Sequence, residues 1–457
     1  LIADSTLTPV SIPELLTENL DLDFCITSKG AISRRQLLAH ALALSQQLPE
    51  NSYAINLCQS RYWFIVAYLA VIFRNQVNLL PANQSPKTIQ NLLSAYPGSY
   101  CIVDSSDVAS EAYHFAVSAA AGFTGSDCFI LPDEISPLAS HLLPLIDTGR
   151  TISISFTSGS TGESKAIEKN WREFQRSAEL ALQQLNLNKL TATLISTVPT
   201  QHMYGLETSL FWPLFSRLSI HDSRPFYPQD IQTSLASLPQ PGVLISTPTH
   251  LKACNKTQIA WPAVKLLLSS TAPLSLALAR HMEFRFNAPL YELFGSTETL
   301  SFASRRTAMS TNWQTYQSIR LTECNHHSWV SGGHLMQPVK LDDQLMLHDE
   351  RSFSILGRSN DIIKIAGKRA SLTELNLILN EIKGIEDGLL FPLKTGRLAA
   401  LVVSDLAKKT ILSELKQATD PAFLPRIIFY VSAIPRTAMG KLNQAELQNL
   451  IQGLTLV

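Results

Sequence analysis

Between Thr151 and Lys165 the chain reads TISISFTSGSTGESK. An alternating run of the kind that lies in a β-strand opens into a loop of glycines and hydroxylated residues and closes on a lysine. Gly159 and Gly162 can take the backbone angles that turn successive N–H groups toward one anion, Thr157, Ser158, Ser160 and Thr161 add hydroxyl donors, and Lys165 adds a positive charge. The segment therefore predicts a phosphate cradle fed by a strand. A Walker loop needs two glycines five apart with lysine directly after the second, then Ser or Thr; the order here is Gly-x-x-Gly-x-x-Lys, which excludes an ordinary P-loop. Standing alone, the same letters also suit a flexible Ser/Gly linker.

The rest of the chain supplies the strands such a loop requires. Helical patterns (Arg35–Leu48) and short strand-like runs (Tyr53–Leu57, Tyr100–Val103) fill the first 150 residues. Beyond the loop the spacing predicts a helix over Trp171–Leu185, strands at 243–246 and 264–269, a helix at 275–286 and a strand at 290–294. Helices alternating with apolar strands imply an α/β fold with layered sheets and ligands at the strand ends. Residues 315–356 are short, strand-like and punctuated at Ser331–Gly333, which predicts a small β subdomain. After Arg358 a separate unit is expected: Ser371 and Glu374 have capping-box spacing, so a helix should start at Leu372, with strands at 398–404 and 427–431.

Charge narrows the function classes. The chain carries 37 Lys+Arg and 37 Asp+Glu, so no attraction to nucleic acid or to a membrane surface is advertised. The last hundred residues hold 13 basic against 9 acidic side chains, a bias that suits acidic ligands but equally a solvated surface. Six scattered cysteines without a C-x-x-C pair argue for a reducing compartment, the cytosol by default, and against a zinc site. The longest apolar stretch, Tyr62–Phe73, falls short of the roughly 20 residues a membrane span needs and reads as a buried helix. No signal peptide is expected ahead of the fold.

The loop at 151–165 resembles the phosphate-binding signature of the adenylate-forming superfamily, which includes acyl-CoA synthetases, aryl-CoA ligases, luciferases and the adenylation domains of peptide synthetases. Further motifs follow in that family's order: YELFGSTE at Tyr291–Glu298, GRSNDIIKIAGKR at Gly357–Arg369, PRTAMGK at Pro435–Lys441 and, more weakly, SSTAPL at Ser269–Leu274. The resemblance implies a large N-terminal domain (1–357) of layered β-sheets with flanking helices and a small β subdomain, and a small mobile α+β C-terminal domain (358–457). It also implies the chemistry: a carboxylic acid and ATP give an acyl-AMP and pyrophosphate, and a thiol then displaces AMP. The cofactors so implied are ATP, Mg²⁺, and coenzyme A or the phosphopantetheine of an acyl carrier protein.

Carried over residue by residue, the phosphate loop from Thr157 to Lys165 would hold the β and γ phosphates, with Lys165 supportive more than essential. Glu298 matches the Mg²⁺ ligand, a hard oxygen donor suited to that ion. Thr297 matches the contact to the α-phosphate, and Phe294, followed by Gly295, the aromatic that stacks on adenine; alone, Phe294 reads as core. Thr271 and Ala272 fall in the pocket wall. The family's ribose aspartate lies fourteen residues before the hinge Gly-Arg, which lands on Asp343 in LDDQ, with Asp342 as the alternative; Arg358 matches an arginine that also reaches the nucleotide. PTQHMYG at Pro199–Gly205 resembles the Pro-x-aromatic-His-x-x-Gly pattern of acyl and aryl ligases, placing His202 between the carboxylate site and the thiol tunnel. Lys441 matches the lysine delivered to the adenylation site, and Gly367 the hairpin that approaches the thiol.

Departures sharpen the expectation. Amino-acid-activating domains place an aspartate one position after His202 to hold the α-ammonium; Met203 stands there, which points to an acid without an α-amino group, aryl or medium-chain. Ser270 and Thr271 replace a Gly-Gly pair and add side chains to the pocket wall. Asn360 occupies a hinge position that is Asp or Lys in the family, and the 59 residues from Glu298 to Gly357 are few, so the β subdomain is trimmed. The wording GSTET, SSTAPL and GKRASL is more weakly similar to ligases that start aryl-polyene-type pigments. The rival readings are an amino-acid-activating domain feeding a carrier protein and a catalytically inactive protein of the same fold.

Overall fold

The structure is a computed structural model that describes residues 10–11, 20–104, 128–132, 145–158, 164–325, 327–358, 361–365, 368–393, 396–436 and 442–455. Six apolar strands, Asp23–Thr27, Leu218–His221, Ala192–Ser196, Gly242–Ser246, Val264–Ser269 and Leu290–Ser296, lie side by side and parallel at the heart of an eleven-stranded sheet. The other five strands run antiparallel to their neighbours. Gly30–Ser33 closes one edge, and Leu300–Arg305, Trp313–Thr315, Ser352–Arg358 and Asp343–Leu347 extend the other. A six-stranded sheet is built from Tyr53–Asn56, Val77–Leu80, Ser99–Val103 and Cys128–Ile130, parallel to one another, and the antiparallel hairpin of Thr151–Ser158 with Ser164–Asn170. This is the layered α/β architecture expected from the alternation of periodicities.

Helices cover the sheets and share one core with them. Helix Arg61–Phe73, apolar on every face, buries all of its residues except Trp63, as a helix without a polar stripe must. Helix Trp171–Gln184 starts on a full capping box in which Asn170 and Glu173 satisfy each other's main-chain N–H. Its Phe174 stacks on Phe211 with ring centroids 4.2 Å apart and planes 2° from parallel. Phe211 ends a π-helical turn, Glu207–Phe211, an uncommon geometry in which the chain takes an extra residue per turn. No helix among the described residues is long and apolar enough to cross a membrane.

The expected β subdomain forms in part as a separate three-stranded sheet, Ile319–Cys324, His327–Gly332 and Val339–Lys340. The remainder of that stretch joins the edge of the large sheet. Beyond Asp361, helix Leu372–Glu381 begins where predicted, with Ser371 Oγ accepting from Glu374 N–H. It packs on a sheet of Ile385–Pro392, Leu398–Ser404 and Ile427–Tyr430. The apolar clusters here, centred on Leu379, Leu390, Val402 and Ile411 and on Leu401 and Leu447, share no residue with the larger core.

The stacked pair sets a measurable stake for the larger core. Phe174→Ala is expected to remove about 3–5 kcal/mol of stability and to lower the urea midpoint of the main unfolding transition. A midpoint equal to that of the unaltered chain would show that the pair is not part of the cooperative core.

Candidate active site

Strand Thr151–Ser158 pairs with Ser164–Asn170 in a register that sets Ser158 opposite Ser164 and Thr157 opposite Lys165. The predicted phosphate loop is thus the turn of a β-hairpin, not a strand-to-helix connection. Gly159, Ser160, Thr161 and Gly162, and the side chains of Thr157 and Ser158, lie outside the described residues. Lys165 is exposed, and its Nζ stands 3.9 Å from Glu298 Oε1.

Glu298 belongs to a second hairpin. The strand through YELFGS continues to Ser296, reverses over Thr297–Thr299 and returns as Leu300–Arg305. Ser296 N–H donates to Thr299 Oγ1 at 2.9 Å, Thr299 N–H donates to Ser296 Oγ at 3.3 Å, and Leu300 takes a left-handed φ of 54°. A Cβ at Gly295 would overlap the Leu300 carbonyl, so only glycine fits beside this reversal. Phe294 is half-buried and packs on Phe302, Trp313 and Phe353 at 5.3, 5.3 and 5.7 Å between centroids, which leaves part of its ring open. Thr297 and Glu298 are both half-buried.

No cluster of three or more His, Cys, Asp or Glu side chains that could cage a metal exists among the described residues. A lone accessible carboxylate fits Mg²⁺, which holds most of its waters and binds through one or two carboxylates together with substrate phosphates.

The pocket wall follows strand Val264–Ser269. Ser270 Oγ donates to the Leu293 carbonyl at 3.0 Å, and Thr271 adopts φ 81°, a conformation that strains a β-branched residue. The backbone takes a shape suited to glycine although the side chain is threonine. Thr271 Oγ1 is buried without a hydrogen-bond partner among the described residues, and Ala272 beside it is half-buried. Glu292, from the middle of YELF, fixes this wall. Its Oε1 accepts from Leu274 N–H at 3.0 Å, while Oε2 takes Arg305 Nε and Nη2 at 2.7 and 2.6 Å and the Thr307 hydroxyl. Burial pushes the Glu292 carboxyl up, against the opposing pull of Arg305.

PTQHMYG forms a tight corner. His202 N–H donates to Pro199 O at 3.2 Å, Met203–Leu206 makes one helical turn, and a Cβ on Gly205 would overlap Pro199 O. His202 and Met203 are half-buried at the start of that turn. The corner rests on Arg61, 4% exposed, whose Nη1 donates to Ser209 Oγ (2.7 Å) and Thr200 Oγ1 (3.3 Å) and whose Nη2 donates to the carbonyls of Ser196 (2.9 Å) and Val198 (3.2 Å). Burial pulls its pKa down to about 10, which leaves it charged at neutral pH.

Asp343 opens one strand of the edge hairpin, and its Cα partner across the ladder is Arg358. The two positions obtained by counting and by motif are therefore neighbours; Asp343 is half-buried and Asp342 exposed. The Arg358 side chain, Asn360, Gly367 and Lys441 lie outside the described residues. The loop that carries Lys441 is bracketed by a bridge between Arg436 and Leu442, and Arg436 grips Asp387 through Nε and Nη2 at 2.7 and 2.8 Å.

Sequence reasoning missed Glu292, Arg61 and Lys169, whose Nζ donates to the Glu298 carbonyl at 2.7 Å. The signal for Glu292 and Arg61 was a charged residue beside apolar neighbours, YELF and RYWF; Lys169, in KAIEKN, carried no such signal.

Among the described residues, two β-hairpins from different sheets bring a lysine and a carboxylate face to face beside the aromatic cluster of the half-buried Phe294. A family model described as AMP-binding enzyme matches residues 27–326, and the chain belongs to that family. It is 26% identical over 291 residues to a 4-coumarate–CoA ligase of Rhodobacter capsulatus, covering 62% of this chain and 73% of the relative. It is 23% identical over 332 residues to a 2-succinylbenzoate–CoA ligase of Staphylococcus epidermidis, covering 65% and 69%. The ATP-bound structure of MatB from Rhodopseudomonas palustris superposes with a TM-score of 0.82 over 97% of this chain and 99% of that one, at 18% identity, a likeness of fold. The superfamily read from the ordered motifs is thus the right one, and its relatives include CoA ligases and a D-alanine–D-alanyl carrier protein ligase of Staphylococcus epidermidis.

Two glycine-like positions should answer oppositely to substitution. Gly205→Ala forces a methyl into Pro199 O and is expected to cost more than about 2 kcal/mol. Thr271→Gly releases strain worth roughly 1–3 kcal/mol and a buried unpaired hydroxyl, against about 1 kcal/mol of added chain entropy, so stability should hold or rise. Denaturation midpoints decide; a Thr271→Gly protein weakened by more than about 1 kcal/mol would contradict the reading of strain.

Proposed function

We propose that the chain joins a carboxylic acid, aryl or medium-chain, to a thiol by way of an acyl-adenylate. The observation that carries this is the approach of two hairpins from different sheets, with Lys165 of the phosphate hairpin 3.9 Å from Glu298. A cation and a lone carboxylate beside the hairpin of Thr151–Ser158 and Ser164–Asn170 answer two needs of ATP: neutralised β and γ phosphates and a place for the accompanying Mg²⁺. When bound, that ion would draw charge from the phosphate oxygens. Thr297 would contact the α-phosphate, Phe294 and Gly295 would hold adenine, and Asp343 with Arg358 would bind the ribose. His202, at the start of its helical turn, would separate acid from thiol, with Thr271 and Ala272 walling the acid. The 4-coumarate and 2-succinylbenzoate ligases among the relatives and the methionine at position 203 favour an acid without an α-amino group.

In the first step the acid's carboxylate oxygen bonds to the α-phosphorus and the bond to the β-phosphate bridging oxygen breaks, so pyrophosphate leaves. Lys441 would place its ammonium between the two approaching anions. In the second step the sulfur of coenzyme A or of a carrier protein's phosphopantetheine bonds to the acyl carbon and AMP leaves. Residues 358–457 would turn as a unit about the junction with 1–357, exchanging the Lys441 loop for the Gly367 hairpin. The six cysteines are all free, as a reducing cytosol would keep them.

Acid-dependent exchange of pyrophosphate into ATP tests the reading. Exchange with aryl or fatty acids is expected; exchange confined to amino acids, or none with any acid, overturns it. Glu298→Gln keeps the volume and removes the charge, and should slow exchange by at least about 100-fold at saturating ATP; an unimpaired rate would remove Glu298 from the nucleotide site.

The two steps should separate by mutation. Lys441→Ala should cut exchange by about 100-fold or more and affect thioester formation from presynthesised acyl-adenylate far less, whereas Gly367→Leu should reverse that order. Equal damage to both steps in both variants would rule out the swinging domain.

A further inference from the structure

Three buried ionisable side chains, from three distant parts of the chain, close on the main chain of one short segment, 298–301. Lys169, 5% exposed, donates to the Glu298 carbonyl at 2.7 Å and to Glu173 Oε1 at 2.8 Å. His334, 3% exposed, donates from Nε2 to the Thr299 carbonyl at 2.6 Å. Glu207, in the π-helical turn, accepts from Ser301 N–H at 3.1 Å and from the hydroxyls of Ser301 and Ser177 at 2.6 and 3.2 Å. Between the second and third clamps sits Leu300 in its left-handed conformation.

These are costly groups to bury. A lysine buried at the end of an edge strand loses several kcal/mol of hydration, where an aliphatic side chain would lose none. Lys169 is neutralised by Glu173, which also closes the capping box of the following helix by accepting from Asn170 N–H at 3.1 Å. Burial holds the His334 imidazole down to about 4, so at neutral pH it is uncharged, and its Nε2–H can serve the Thr299 carbonyl. Burial pushes the Glu207 carboxyl up, with the Ser301 and Ser177 hydrogen bonds and the nearby Lys169 charge pulling it back. What the three share is neither a cavity nor a metal but one stretch of backbone that turns back directly after Thr297.

We propose that Lys169, His334 and Glu207 are positioning residues for adenylation: they hold residues 298–301 in a reversal that an isolated turn would not keep, so that Thr297 and the Glu298 carboxylate stay turned toward the phosphate hairpin. The proposal rests on the assignment of Glu298 to the nucleotide site. Lys169 lies on the hairpin that bears the phosphate loop and Glu207 lies one turn after His202, so nucleotide-side and acid-side elements are fastened to the same four residues. Each clamp bonds to main chain, and Glu207 adds a bond from the Ser301 hydroxyl, so it is the placement of the backbone that all three hold.

Lys169→Met combined with Glu173→Gln removes both charges together and leaves no buried ion unpaired. In this protein, folded by circular dichroism, amide hydrogen exchange of the peptide covering 296–301 should quicken at least about tenfold, while peptides from the Phe174 core keep their protection. The Mg²⁺ concentration for half-maximal binding of a fluorescent ATP analogue should rise about tenfold, with the KM for the acid within about twofold of the original. Glu207→Gln retains an oxygen for Ser301 N–H and should shift both readouts less than Glu207→Leu. A folded double variant with exchange and Mg²⁺ requirement both within about twofold of the parent overturns the proposal. If the double variant does not fold, the ordering of the two Glu207 variants decides in the same way. If the parent binds no ATP analogue, the ligase reading falls, and the exchange of 296–301 alone settles whether the clamps position that segment.

Discussion

The arrangement of both loops at the large sheet's edge depends on what is done with the buried Glu292 carboxylate. Removed from water, such a group is tolerable only if its lone pairs are all met, and here an arginine fork, a hydroxyl and the Leu274 main-chain N–H meet them. The donors come from three places: the strand after the Glu298 turn, the residue two positions beyond it, and the pocket wall. Arg305 is itself held over the Trp313 ring at 4.4 Å, in the aromatic group that supports Phe294. Satisfying one charge thus sets the loop at 270–274, the aromatic group around Phe294 and the strand between them relative to one another.

Much of the layout was legible in advance because it rests on periodicity and on local chemistry. Strand 264–269 and the helix at Leu372 begin where apolar alternation and a capping serine put them, and the apolar run at 62–73 is buried as its composition demands. Counting fourteen residues back from Gly357 reached Asp343 because a hairpin makes sequence distance and ladder distance equivalent. Interactions across the chain were not legible. Arg61 contacts Ser196 and Val198 from more than a hundred residues away, and nothing in RYWF says which carbonyls it will meet. The returning strand Ser164–Asn170 was not foreseen for a related reason: an alternating run does not reveal which element follows the loop it feeds. Charged letters beside apolar neighbours were the visible trace of the ties at Arg61 and Glu292, and they mark that a partner exists without naming it.

Thr271 and Gly205 show two ways a backbone can be held under constraint. At Gly205 the Pro199 carbonyl sits where a side chain would begin, so composition has followed geometry. At Thr271 a β-branched residue occupies a geometry suited to glycine, and the surrounding structure absorbs the strain. Strain of this kind collects where a loop must present atoms to a ligand, and its neighbours here are Ala272 and the wall fastened by Glu292. Ser270 repays part of the cost through its bond to the Leu293 carbonyl, in the strand that leads to Phe294.

The order in which strands neighbour one another in the large sheet differs from the order in which a ribosome delivers them. Asp23–Thr27 has as its parallel neighbour Leu218–His221, made about 190 residues later. Until then its far edge has no partner on that side, and Arg61 has none of the carbonyls of Ser196 and Val198 to bond. At typical rates of synthesis the gap lasts on the order of ten seconds or more, a period in which an apolar strand and an apolar helix wait unpaired. The hairpin of Asp23–Thr27 with Gly30–Ser33 is therefore no detachable preface to the large sheet but its last course of masonry, and a nascent chain of this design has reason to engage chaperones early and release them late.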